Sequence, residues 1–217
     1  SGAGHSITVL HPLRERHVQL APDVDACLVT GTPADCVKFA VLRHEEDPFD
    51  LVVSGINLGL NAGVDVFYSG TVAGAMEGAL HGIGAVAVST ARENEECIDH
   101  VASIAADVVG QLSRLGLPAG WLMNVNVPQL RDQGEPEVRY TRQNPVFPGG
   151  TLSRTDGTRG RVHYWLDADV AAHRAPEDSD VAALAAGCVS VTPLARNLTD
   201  EDALQSAEER TRAGEKQ

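Results

Sequence analysis

Short β-branched apolar runs alternate along this chain with stretches in which apolar residues recur at helical spacing. Ile7 to Leu10 and Cys27 to Thr30 read as strands. Thr32-Pro33 then reads as a helix N-cap and first helical residue, with Asp35 in the first turn and a helix running to about Arg43. Leu51 to Ser54 is a further strand, Val72 to His81 a helix and Ala85 to Ser89 another strand. Ile98, Val101, Ile104, Ala105, Val108, Val109 and Leu112 share one helical face, which predicts an amphipathic helix ending at Gly116. Trp121 to Val127 closes the series as a strand stopped by Pro128. Strand–helix alternation with β-branched strands predicts an α/β fold: a Rossmann-like, mostly parallel sheet with helices on both faces.

The pattern changes beyond Pro128. Val138 to Thr141 and Val162 to Leu166 read as extended segments flanking a polar loop, Arg142 to Arg161, rich in Gly, Pro and Arg. A loop of that length is too long for a hairpin turn and reads as an arm. Val162, Tyr164 and Leu166 alternate with His163 and Trp165, so one face of the arm can bury against a second subunit. A C-terminal helix is expected from Thr199, with Asp202 three residues on. The chain therefore divides into a core, residues 1–130, and a segment 131–217 of β-arm, return strand and C-terminal helix.

Composition narrows the partners. Seventeen basic against thirty acidic residues give a net charge of −13, which argues against a nucleic acid polymer. The same field repels a free phosphate, so any phosphate site needs a local positive source. No apolar run is long enough for a membrane span, and no signal peptide is evident at Ser1. Cys27, Cys36, Cys97 and Cys188 show no zinc spacing and are expected as free, buried thiols of a cytoplasmic protein.

The segment from Asp50 to Gly78, DLVVSGINLGLNAGVDVFYSGTVAGAMEG, carries the chemistry. It is a strand, then a polar glycine-rich loop, then a helix of small residues. In open α/β sheets ligands bind where loops leave the carboxyl ends of strands. Asn57, Asn61, Asp65, Ser69 and Thr71 all fall there, and Ser69-Gly70-Thr71 opens the helix, a natural position for phosphate. Asn57 alone also reads as a turn asparagine, and Ser69 or Thr71 as a plain N-cap. Phe67-Tyr68 reads as a packing anchor, His5 as a loop residue and Glu77 as a structural carboxylate. Arg142 and Arg161 read as solvated loop residues. A dehydrogenase is excluded, since no G-x-G-x-x-G follows a strand.

Those residues resemble the SurE (survival protein E) nucleotidases. SGIN with NAG four residues on and YSGTVAGAMEG match, as do, in order, SGAGHSIT at the start, GTPADCV at Gly31, LMNVNVP at Leu122, YW at Tyr164 and CVSVTPL at Cys188. The resemblance implies a metal-dependent phosphomonoesterase of nucleoside 5′- and 3′-monophosphates, assembled as a homodimer or tetramer through exchanged arms. It implies one divalent ion, Mg²⁺ or Mn²⁺, per subunit, with Ser1 and Asn57 among its ligands. It further implies Asn61, Ser69, Gly70 and Thr71 as phosphate contacts, with Asn61 and Ser69 catalytic. The family's ion is also held by two aspartates of an Asn-Asp-Asp-Gly motif, and no Asp-Asp pair occurs in these 217 residues. By that reading the chain as given is inactive alone. The alternative is a non-catalytic nucleotide- or phosphate-binding module that has lost its metal carboxylates.

Overall fold

The computed structural model describes residues 4–131, 134–146, 149–156, 161–167 and 175–214. The chain begins with a hairpin, β1 (Glu15–Ala21) and β2 (Val24–Val29), followed by α1 (Pro33–Arg43). Then come β3 (Leu51–Leu58), α2 (Gly70–Leu80), β4 (Gly84–Thr90), α3 (Ile98–Ser113) and β5 (Leu122–Val127). The remainder is β6 (Val138–Tyr140), β7 (Thr151–Asp156), β8 (Val162–Asp167), α4 (Asp180–Ala185), β9 (Val189–Pro193) and α5 (Glu201–Gly214). The central sheet has five strands in the order β3-β4-β5-β9-β6. Pairs β3/β4, β4/β5 and β6/β9 are parallel, and only β5/β9 is antiparallel.

Side-chain alternation across the sheet explains why both faces are covered. Ala85 and Ala87 of β4 and Leu122 of β5 face α2, meeting Val72, Ala75 and Ala79. Val86, Val88, Val125 and Val127 point the other way, against Val101, Ile104, Val108 and Leu112 of α3. The helical stripe read from Ile98 to Leu112 is therefore the α3 core face. The α2 side is built of small residues so that the helix lies close to β3. A Cβ on Gly74 would stand 2.7 Å from Ser54 Oγ, and one on Gly78 2.7 Å from Val52.

Several elements depart from the sequence reading. Ile7 to Leu10 forms no strand, because the polar groups of Thr8 are spent on helix α1. Its backbone N–H and hydroxyl donate to the Asp35 carboxylate at 2.8 and 2.6 Å. The strand at Cys27 belongs to β2, which pairs with β1 in a separate hairpin outside the central sheet. Val138 to Thr141 does not pair with Val162 to Leu166. β6 joins the central sheet beside β9, and β8 pairs with β7, which lies inside the expected loop. Helix α5 is capped by Asp200, whose carboxylate accepts from Ala203 N at 2.9 Å, and not by Thr199. The four thiols are free, but only Cys188 is buried and Cys27 is exposed.

Helix α1 carries the N-terminus read from sequence. Thr32 accepts from Asp35 N, and Asp35 in return accepts from Thr32 N at 2.8 Å, a reciprocal capping box with Pro33 at the first helical position. Asp35 is 2% exposed. Burial pushes its carboxyl up, but the bonds from Thr8 and Thr32 outweigh that and bring its pKa down to about 2. A depressed folded-state pKa stabilises above the unfolded value of 3.8, and that contribution is lost as pH falls toward 2. Asp35→Asn is thus expected to be destabilising at neutral pH, with the gap to wild type narrowing from pH 4 downward in thermal melts. A gap independent of pH across that window would refute the assignment.

Candidate active site

The site loop begins with a break in the pleat of β3. Ser54 pairs with Ala87 but Asn57 with Ser89, so one extra residue is inserted at Gly55–Ile56. The bulge changes which face each side chain takes: Val52 packs on the α2 side, yet Ile56 packs with the α3 core. Gly55 has φ 137°, and a Cβ there would collide with the Val88 carbonyl, so only glycine fits. Beyond the bulge, Asn57 Nδ2 donates to Gly59 O at 2.7 Å and Gly59 N to Thr90 O at 2.8 Å. The turn reading of Asn57 is therefore correct as far as its amide nitrogen goes. Its Oδ1 remains as an oxygen donor.

Asn61 sits at the centre of a buried polar network. Its N–H donates to Asn126 Oδ1 at 2.8 Å, and its carbonyl accepts from Asn124 Nδ2 at 2.7 Å and Asn126 Nδ2 at 3.2 Å. Its own Nδ2 donates to Ser89 Oγ at 2.6 Å, leaving the amide one further hydrogen to give. Asn124, Asn126 and Ser89 are all fully buried. Two residues on, Gly63 N donates to Asp180 Oδ2 at 2.7 Å and Gly63 O accepts from Gln143 Nε2 at 2.8 Å. Asp180, fully buried, also accepts from Asn144 N at 2.9 Å and Val181 N at 2.8 Å.

Asn57, Gly59, Leu60, Asn61, Asp65, Tyr68 and Arg92 line a recess of about 180 Å³ at the carboxyl end of β3. Ser69, Gly70 and Thr71 do not line it, although the adjoining Tyr68 does. Ser69, not Thr71, is the N-cap: its Oγ accepts from Val72 N at 3.1 Å, and α2 starts two residues earlier than expected. The first N–H groups of α2, those of Gly70 and Thr71, have no carbonyl partner within the helix. Gly4 N donates to Tyr68 O at 3.0 Å, so the N-terminal segment passes beside this helix start. Ser1 lies outside the described residues.

Other candidates resolve into structure. Glu77 is buried and bonded to Lys38 Nζ at 2.8 Å, with His81 Nε2 at 3.4 Å and His5 Nε2 at 3.7 Å. Burial raises its carboxyl, but Lys38, His81 and His5 overcome that and hold it below the usual range. Arg142 pairs with Asp178 at 3.0 Å. Loss of hydration pushes the solvent-accessible Asp65 carboxyl up. Sequence reasoning missed Arg92, Asp180 and the structural use of Asn124 and Asn126. The signal for the last was there: two asparagines at alternating positions of an apolar strand share one face.

The donor set can be tested against the divalent ion that the resemblance implies. The Asn57 carbonyl oxygen is of the hard type such ions take. Among the described residues no group of three or more His, Cys, Asp or Glu is gathered to hold an ion. Asn57 therefore fits as one neutral ligand, and the described residues supply no carboxylate set beside it.

Comparisons with known proteins decide the family. The family model for Survival protein SurE matches residues 1–146. The chain is 41% identical over 205 residues to 5′-nucleotidase SurE of Rhodopirellula baltica, covering 94% of this chain and 81% of that one. It is 41% identical over 201 residues to 5′-nucleotidase SurE of Moorella thermoacetica, covering 92% and 77%. The crystal structure of the SurE protein from Aquifex aeolicus superposes with a TM-score of 0.80 at 37% identity, over 97% of this chain and 84% of that one. The chain belongs to the SurE family. The fold read from strand–helix alternation is that of this SurE structure.

The Asp180 anchor of the site loop is open to direct measurement. Asp180→Ala leaves the N–H groups of Gly63, Asn144 and Val181 without their acceptor. At roughly 1–3 kcal/mol per orphaned group, a loss of at least ~3 kcal/mol and of about 10 °C in Tm is expected by calorimetry. A Tm within about 2 °C of wild type would show that the anchor contributes little.

Proposed function

We propose that this chain carries the phosphate-binding part of a phosphomonoesterase that hydrolyses nucleoside 5′-monophosphates, and 3′-monophosphates as well, to nucleoside and inorganic phosphate, and that these 217 residues, which hold no Asp-Asp pair, are inactive alone. The observation that carries this reading is the pairing of Asn57 and Asn61 in one recess at the carboxyl end of β3, in a SurE-family chain. The phosphoryl group sits in that recess, with the start of α2 behind Tyr68. Asn61 gives the free hydrogen of its amide to a phosphoryl oxygen, held in place by Ser89, Asn124 and Asn126. Ser69 keeps its hydroxyl hydrogen while its Oγ caps α2, so it is a donor as well as a cap. The N–H groups of Gly70 and Thr71 add the positive end of the helix. Arg92 supplies a guanidinium to the same recess, which offsets part of the −13 field. Asn57, with Ser1, would hold Mg²⁺ or Mn²⁺, one per subunit; when bound, such an ion polarises the phosphoryl group and acidifies water.

Chelation is the sharpest test of that ion. In a chain that carries the two metal aspartates, hydrolysis of adenosine 5′-monophosphate is expected to stop in excess chelator and to return with added Mn²⁺ or Mg²⁺, whereas these 217 residues alone are expected to show no turnover. Asn57→Ala is expected to lower kcat by on the order of 100-fold, at a cost of about 1 kcal/mol in stability. Full activity in chelator, or a variant that loses stability but not turnover, would leave Asn57 as a turn residue. Binding of the nucleotide with no turnover in added metal would favour the non-catalytic alternative.

The segment 131–217 is the oligomerisation half in this reading, and the assembly is a homodimer or tetramer. Leu152 on β7 and Tyr164, Trp165 and Leu166 on β8 are all more than 60% exposed in the single chain. A two-stranded hairpin with so much apolar surface needs a partner. No helix among the described residues is long and apolar enough to cross a membrane, and the free thiols suit a cytoplasmic protein. Sedimentation is expected to give a dimer or larger species, and Leu166→Glu to shift it toward monomer. A wild-type monomer at micromolar concentration would refute the arrangement.

A further inference from the structure

One buried charge stands outside the recess. Glu77 is the one charged residue of α2 and is 4% exposed. A buried carboxylate is costly unless its oxygens are partnered. Oε1 has Lys38 Nζ at 2.8 Å and His81 Nε2 at 3.4 Å, and Oε2 faces His5 Nε2 at 3.7 Å. Lys38 by itself neutralises the charge, so the third partner has a different consequence. His5 belongs to the N-terminal segment, and the contact ties that segment to the body of α2.

The segment is held nearly residue by residue. Thr8 donates twice to Asp35, Ser6 O accepts from Thr32 Oγ1 at 2.7 Å, and Gly4 N donates to Tyr68 O at 3.0 Å. The ties at Ser6 and Thr8 go to the start of α1, and that at Gly4 goes to the start of α2. His5, between them, reaches Glu77. The Gly4 bond bears on the recess. Tyr68 lines it, and the Tyr68 carbonyl belongs to the peptide that leads into Ser69, the cap of α2. The nitrogen of that peptide makes a long bond, Ser69 N to Val66 O at 3.5 Å, at the limit of hydrogen-bond length. The shorter bond on its oxygen therefore sets its orientation, and His5 helps to set the place of Gly4.

We infer that Glu77 is a positioning residue for the phosphate end of the recess: through His5 it holds Gly4 against the Tyr68 carbonyl and so fixes the peptide that joins Tyr68 to the start of α2. Glu77 touches no substrate in this arrangement. The inference rests on the phosphate reading of the recess only for its effect on phosphate; the tether is read from Gly4 itself. The His5 side chain is 40% exposed, and a pair so placed changes an equilibrium by about fivefold at most.

His5→Ala removes the link at a half-exposed position and leaves the Lys38–Glu77 pair in place. Hydrogen exchange of the 217-residue chain, followed by NMR, is expected to show the Gly4 amide about fivefold less protected, with Tm within about 2 °C of wild type. Inorganic phosphate, titrated by NMR, is expected to bind about threefold more weakly. His5→Gln, whose amide can still donate to the carboxylate, is expected to restore most of both. Glu77→Gln is expected to match His5→Ala, to shift the His5 imidazole signals, and to add nothing when the two are combined. Should Glu77→Gln unfold, the two His5 variants carry the test. Unchanged Gly4 protection in His5→Ala, or losses that add in the double variant, would overturn the tether. Lost protection with unchanged phosphate affinity would overturn the positioning role and leave the phosphate reading standing. Lost protection in a protein whose wild type binds no phosphate would support the tether and sink the phosphate reading.

Discussion

The site depends on one constraint: a loop of backbone must cross the end of a closely packed parallel sheet without leaving buried peptide groups unpaired. The interior strands β4 and β5 cannot supply the missing partners, because their own N–H and C=O groups are committed to ladders on both sides. Side chains do it instead. Asn124 and Asn126 of β5 reach the Asn61 carbonyl, Asn126 also accepts the Asn61 N–H, and Asp180 takes the Gly63 N–H. An unpaired buried group costs roughly 1–3 kcal/mol, comparable with a sizeable share of a domain's whole stability. The loop is consequently held at two points, Asn61 and Gly63, and the residues between β3 and α2 are presented from a fixed base.

That anchoring bears on how an acidic protein could hold the phosphate of the proposed reaction. A charge of −13 works against phosphate everywhere on the surface. The recess sets the amide of Asn61 and the guanidinium of Arg92 against the carboxylate of Asp65, and the start of α2 lies beyond Tyr68 at its edge. Helix ends and surface charges are each worth only about 0.3–1 kcal/mol in water. Their effect grows when they are immobile and partly shielded, since nothing must reorganise as charge develops. Rigidity of the loop is thus part of the electrostatics.

Local sequence rules carried the reading where one stretch of chain decides its own structure. Thr32-Pro33 with Asp35 forms its capping box within four residues of chain, and the α3 stripe is simply the face that covers β4 and β5. Asn57 and Asn61 were legible as a pair because both leave the same strand end. The misreadings have a common cause, which is competition from distant residues. Thr8 sits in an apolar run but is claimed by Asp35, 27 positions away. β6 looks like one side of a hairpin, yet the open edge of β9 captures it. Asp180 is 117 residues from Gly63, and nothing near either announces the bond. Ser69 and Thr71 both read as caps because Ser and Thr are each favoured at that position; the extended backbone at Ser69, φ −85° and ψ 119°, and its bond from Val72 N decide for Ser69.

The same long-range ties link the two halves of the chain. Asp180 and Gln143 both lie beyond residue 131, and both hold Gly63 in the core loop. Arg142 and Asn144 are bound into the same knot, Arg142 through Asp178 and Asn144 through Asp180. The segment that leads out toward β7 and β8 therefore starts from residues that brace the loop of the recess.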